Sequence, residues 1–225
     1  MTGLPGPSQI GTVISVNVGE PKEVRWAGRL VRTGIWKEPV TGRVRVRHDN
    51  LVGDGQADLR VHGGVDKAVY VYSIEDYRWW RDRLHRELGV ATFGENLTSE
   101  GVDLTASVIG EEWVVGTSVL RVTQPRMPCF KLGIRMGDAG FVQTFDDARR
   151  YGVYLRIEQE GDIGAGDRIV LMSRPRHGLT AASIVDIQAT QDPKDLEKLR
   201  DIPDVPVVWK SWAIRQLGRN GRNGQ

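Results

Sequence analysis

The chain has 225 residues, 40% of them hydrophobic and 27% charged, with 31 Lys and Arg against 29 Asp and Glu. That length fits one sizeable core or a main domain with a small appendage, and a net charge of +2 gives no reason to expect nucleic acid on bulk charge alone. A single cysteine excludes an intramolecular disulfide, a cluster held by four thiolates of this chain and a Cys-rich zinc site.

The first twenty residues, MTGLPGPSQIGTVISVNVGE, have no basic start followed by an apolar stretch, so no signal peptide is expected. No run reaches the ~18 apolar residues that span a bilayer. The expected setting is reducing and cytoplasmic, without membrane association. In TVISVNV, Ile14, Val16 and Val18 alternate with polar positions, as in a half-buried strand. GRVRVRH sets Val44 and Val46 against Arg43, Arg45 and Arg47, and VYVY at 69–72 reads as a strand buried on both faces.

Ile74, Tyr77, Trp80, Leu84 and Leu88 follow a helical spacing, with Ser73 as the N-cap and Gly89 as the stop. EWVVGTSVLRVT reads as a hairpin about Gly116-Thr117. TFDDARRYG reads as a short helix, and YGVYLRIEQEGDIGAGDRIVLM as two strands about a Gly/Asp turn. After Met172 a Pro/Gly/basic linker, SRPRHG, leads to three short helices that begin at Thr180, at Asp192 and at a Pro-led turn, before a frayed RNGRNGQ. The expectation is a mainly β domain over 1–173 and a three-helix extension over 179–219.

Four segments concentrate polar groups that a core does not need. RTGIWKEP places Lys37 just before Pro39. GDGQADLRVHGGVDKAVY carries Arg60, His62, Gly63, Gly64 and Lys67, and two adjacent glycines beside cations suit close approach of a phosphate or another anion. FGENLT offers Asn96, whose amide both donates and accepts. VTQPRMPCFKL holds Cys129 between Pro128 and Lys131, with Arg126 close by; two prolines stiffen the loop and the cations favour a thiolate. Taken singly, tight turns with solvated charges and a small buried thiol are the commoner readings of such segments.

In their order and separation, these segments resemble the MOSC family, named for the C-terminal domain of molybdenum-cofactor sulfurase. The likeness runs from about Ile10 to Leu217 and is to the YiiM-type branch, which adds a C-terminal three-helix extension. The resemblance implies a MOSC-type β-barrel with a few helices, a bound molybdenum cofactor (molybdopterin), and Cys129 as the protein's ligand to the metal. It also implies that Lys37, Arg60, His62, Gly63, Gly64 and Lys67 hold the cofactor, that Asn96 contacts pterin or substrate, and that Arg126 braces the cysteine loop.

The activity implied is reduction of N-hydroxylated compounds, such as hydroxylaminopurines, to amines, a detoxification of N-hydroxylated bases. His62 is a candidate proton donor, or simply an anchor. The chain shows no flavin or haem-attachment motif, so electrons are expected from a separate flavodoxin, ferredoxin or flavin reductase, with the helical tail as one place for it to dock. Two other readings stay open: a sulfur carrier using a Cys129 persulfide, and a non-enzymatic module that binds molybdopterin or, through Lys210, Arg215, Arg219 and Arg222, nucleic acid. A homodimer is an open option.

Overall fold

The computed structural model describes residues 7–57 and 63–223, with side chains up to residue 219. Arg60 and His62 lie outside the described residues. Among the described residues there are thirteen strands: β1 (Ser8–Val18), β2 (Lys22–Trp26), β3 (Arg29–Thr33), β4 (Glu38–Pro39), β5 (Arg43–Arg47), β6 (Asn50–Leu51), β7 (Val69–Ser73), β8 (Leu97–Glu100), β9 (Glu112–Val115), β10 (Ser118–Pro125), β11 (Val153–Gln159), β12 (Gly161–Gly164) and β13 (Arg168–Ser173). The helices are α1 (Ile74–Leu84), α2 (Phe130–Met136), α3 (Phe141–Ala148), α4 (Ala181–Thr190), α5 (Pro193–Asp201) and α6 (Val207–Asn223), with a short 3-10 turn at Val65–Lys67.

Seven strands close a barrel in the order β1-β13-β9-β10-β11-β7-β8 and back to β1. An odd number of strands cannot close with every neighbour antiparallel, and among the described residues β7–β8 is the parallel pair. Parallel neighbours need a crossover, which α1 supplies. Outside the barrel, β4 extends from β1, β12-β5-β6 form a small sheet, and β2–β3 form a two-stranded one.

The barrel agrees with the mainly β expectation, and details differ for local reasons. A register shift between Val13 and Ser15 breaks the period of β1, so Val13 and Val16 are buried while Ile14 is turned outward. The expected hairpin after Tyr151 contains three strands, because Gly161–Gly164 leaves its neighbours to pair with β5. Ser73 caps α1 as read, its hydroxyl accepting from Asp76 N–H at 3.0 Å. The helix ends at left-handed His85 rather than at Gly89, the cap N–H bonding the Arg81 carbonyl.

Thr180 and Asp192 cap α4 and α5 as read, while α6 runs on to Asn223 through the stretch read as frayed. Two apolar clusters fill the molecule. One is aliphatic: Val13, Val71, Leu120, Val122 and Leu155 inside the barrel are continuous with Ile184, Leu196, Leu199 and Ala213 of the last three helices. Trp209 of α6 joins it and donates from its indole to Gln124 Oε1 of β10 at 2.8 Å. The other is aromatic, with Tyr72, Tyr77, Trp80, Phe93, Phe141 and Phe145 packed between α1, α3 and the outer face of β7. No helix among the described residues is long and apolar enough to cross a membrane.

Candidate active site

A cleft with about 590 Å3 of empty space, its open mouth included, gathers residues from six separate stretches of sequence. Lys37, Lys67, Asn96, Arg126 and Cys129 all line it, so five residues singled out by the sequence meet at one place. Lys131, Asp54, Tyr70, Phe93 and Tyr154 complete the lining that matters for chemistry. Gly63 and Gly64 lead into the turn that carries Lys67. Gly64 has φ 95°, a conformation that glycine adopts without strain, and its carbonyl accepts the Lys67 N–H. Arg156 fixes that turn from below through Asp66, with Nε 3.0 Å from Oδ1, and Thr123 Oγ1 donates to the Asp66 carbonyl at 2.7 Å.

Cys129 ends an extended segment and begins α2, its carbonyl accepting the Leu132 N–H at 2.9 Å. The sequence showed a stiff loop here; the structure adds a seven-residue helix directly after the thiol. Lys131, in its first turn, is buried at the cleft wall. Arg126 is 6% exposed, with its guanidinium 5.4 Å from the Tyr70 ring centroid and 5.8 Å from that of Phe145. Its Nη1 is buried and has no hydrogen-bond partner among the described residues. A buried charged donor left unsatisfied is costly, and a ligand oxygen in the cleft would relieve it.

Burial lowers Lys67 below the ordinary lysine value, with Asp66 and Cys129 acting against it. Burial raises the phenols of Tyr70 and Tyr154, Arg126 opposing in each case, so both stay protonated near neutrality.

A second group of lining residues is bonded internally. The Lys37 ammonium is buried against Asp54 Oδ1, which also accepts the Gly19 N–H at 3.0 Å. Asp54 Oδ2 accepts from Asn96 Nδ2 at 2.9 Å, and Asn96 Oδ1 accepts the Tyr70 N–H at 3.0 Å. The second N–H of the Asn96 amide points to the Asn17 carbonyl at 3.4 Å. Asn96 therefore meets the cleft with both side-chain donors already engaged. Burial pulls Lys37 below the ordinary lysine value, with Asp54 as the main opposing influence.

Behind this group Glu95 is fully buried, accepting from Tyr77 Oη at 2.8 Å, Ala91 N–H at 2.7 Å and Thr98 Oγ1 at 2.9 Å. Burial raises its carboxyl above the usual glutamate range. Close backbone approach makes part of the wall, since a Cβ on Gly34 would stand 2.6 Å from the Gly55 carbonyl oxygen. Asp54 was not singled out from sequence because it sits in a Gly-Asp-Gly turn, where Asp is ordinary.

The MOSC domain family profile matches residues 58–170, which includes Lys67, Asn96, Arg126 and Cys129. The chain belongs to the MOSC family. It is 39% identical over 169 residues to the uncharacterised protein YflK of Bacillus subtilis, covering 75% of this chain and 76% of that one. A Gibberella moniliformis protein named Reductase is 31% identical over 169 residues, covering 73% of this chain; the chain spans 30% of that protein's length. The crystal structure of YiiM from Geobacillus stearothermophilus superposes with a TM-score of 0.77 at 30% identity, covering 92% of this chain and 99% of that one. MOSC domains are associated in general with the molybdenum cofactor.

The cleft fits such a group on its own chemistry. Among the described lining residues, four cations, Lys37, Lys67, Arg126 and Lys131, stand against one carboxylate, that of Asp54, which suits an anion. Cys129 offers a soft ligand. Among the described residues no group of three or more His, Cys, Asp and Glu could hold a metal ion, so a metal bound here would bring most of its ligands with it.

Proposed function

We propose that the cleft binds a molybdopterin-type molybdenum cofactor and that the protein reduces N-hydroxylated compounds, such as hydroxylaminopurines, to amines. The observation that carries this reading is the meeting of the chain's single thiol, Lys67, Lys131 and a buried Arg126 with an unsatisfied nitrogen in one cleft. Lys67 and Lys131 would hold the anionic parts of the cofactor, Arg126 Nη1 would donate to one of its oxygens, and Cys129 would bind the metal through sulfur. Arg60, His62, Gly63 and Gly64 would complete that hold from the preceding segment. Bound there, the cofactor supplies the two-electron chemistry that side chains lack.

The reaction takes an N-hydroxyl compound, two electrons and two protons to the amine and water, with the N–O bond breaking. Ile35, Tyr70, Phe93 and Tyr154 give the cleft apolar surface that excludes water around the reacting group. His62 is a proton donor or a cofactor anchor in this scheme. The electron pair comes from a separate flavodoxin, ferredoxin or flavin reductase, and the relative named Reductase supports an oxidoreductase role. The test is metal and pterin analysis. Protein from a cofactor-competent host should contain both, and protein from a cofactor-deficient host should fold without either; equal activity from the two hosts would contradict the reading.

A further inference from the structure

Lys37 differs from the other cations of the cleft in what already holds it. Its ammonium is buried against Asp54, and a cation and a carboxylate in contact largely cancel at a distance, so the pair presents little net charge to a phosphate. An anion drawn to Lys37 would also meet the Asp54 carboxylate. The pair instead presents a donor and an acceptor side by side. An ammonium has three N–H bonds, and Asp54 is its side-chain acceptor among the described residues. A carboxylate has about four acceptor sites, and the described donors to Asp54 are Lys37, Gly19 N–H and Asn96 Nδ2.

A neutral hydroxyl uses both halves at once, accepting through oxygen and donating through hydrogen. Resting on the reduction proposed above, we infer that Lys37 and Asp54 form the subsite for the substrate's N-hydroxyl group, Lys37 Nζ donating to its oxygen and Asp54 accepting its hydrogen. Lys37 is then a substrate-binding residue and no part of the cofactor's anchor. Asn96 is a positioning residue, clamping Asp54 Oδ2 while its own oxygen is fixed by the Tyr70 N–H. The apolar surface of Ile35 and Phe93 in the same cleft suits the carbon framework that bears the hydroxylamine.

The test compares three variants made in a cofactor-competent host: Lys37→Met, the charge-balanced pair Lys37→Met with Asp54→Asn, and Lys67→Ala. Molybdenum and pterin are measured per folded molecule, and KM for a hydroxylaminopurine is measured with a small chemical reductant. Both Lys37 variants should keep the wild-type cofactor content and raise KM about tenfold, the effect of losing a hydrogen bond to a charged group. The balanced pair leaves no buried charge alone, so it tests the subsite even if Lys37→Met fails to fold. Lys67→Ala should lose cofactor instead. Cofactor loss from the Lys37 variants as large as that of Lys67→Ala, or an unchanged KM, would overturn the assignment. Wild-type protein without molybdenum would sink the reading beneath it, and this subsite with it.

Discussion

Arg126 and Asp54 are both buried charges on one cleft, and the fold treats them differently. Arg126 is held by aromatic faces, Tyr70 and Phe145, which support its charge without consuming its donors, and one nitrogen is left unsatisfied. Asp54 is held by hydrogen bonds from Lys37, Gly19 and Asn96, and Asn96 is tied on to Asn17 and Tyr70. Tyr70 serves both, its ring beneath Arg126 and its backbone N–H on Asn96. A charge backed by rings keeps binding capacity for an incoming anion, whereas a charge backed by hydrogen bonds is fixed in place and nearly neutralised. The cysteine side is thus suited to recruit a cofactor, and the Asp54 side to orient a neutral group.

Substitutions can break that contrast, beginning with the largest effect. Cys129→Ser should stay folded and keep some pterin, yet lose reductase activity by more than the ~100-fold that loss of a metal's outer partner typically costs. Activity assays beside a thermal melt would show it, and retention of a tenth of the activity would contradict a metal-ligand role.

Phe145 is fully buried and stacks on Trp80 at 5.6 Å with an interplanar angle of 4°, so Phe145→Ala should cost about 3–5 kcal/mol in urea unfolding. A loss under about 1 kcal/mol would show that the rings do not carry the Arg126 side. Lys67→Ala should leave stability within ~0.5 kcal/mol while cofactor content falls severalfold. Unfolding with unchanged cofactor per folded molecule would make Lys67 structural.

The smallest effect concerns pH. Burial raises the folded-state Glu95 carboxyl above its ordinary value of 4.5, so the folded protein binds that proton more tightly than the unfolded chain. Its contribution is therefore fully present below pH 4.5 and declines as pH rises through the raised value. Glu95→Gln cannot titrate, so the wild-type minus variant stability should fall across that interval and be flat above it. A difference that is flat throughout would show that folding does not shift the Glu95 carboxyl, and one that rises with pH would show that the fold favours its ionised form.

Local rules carried much of this to the sequence. Val44 and Val46 are buried between outward arginines as the alternation requires, and Ser73, Thr180 and Asp192 cap the helices they were expected to start. Lys37, Lys67, Asn96, Arg126 and Cys129 line one cleft, and each sits on a turn or connecting segment beside the end of a strand or helix, where the sequence shows turn residues and cations. Asp54 was not legible, since its partners lie 17 and 42 residues away and only closure of the barrel brings them together. The engagement of Asn96 was hidden for the same reason. The β12 strand was missed because its pairing with β5 spans more than a hundred residues, and glycines at both ends read as a turn.

X-ray absorption at the molybdenum edge tests the central claim most directly, because it counts the metal's neighbours without depending on turnover. Wild-type protein loaded with cofactor should show one more sulfur neighbour than Cys129→Ser loaded in the same host. A persulfide carrier would also lose activity on this substitution, but it would not change the metal's shell. An unchanged sulfur count would contradict the assignment of Cys129 as the ligand that the cleft is built to present.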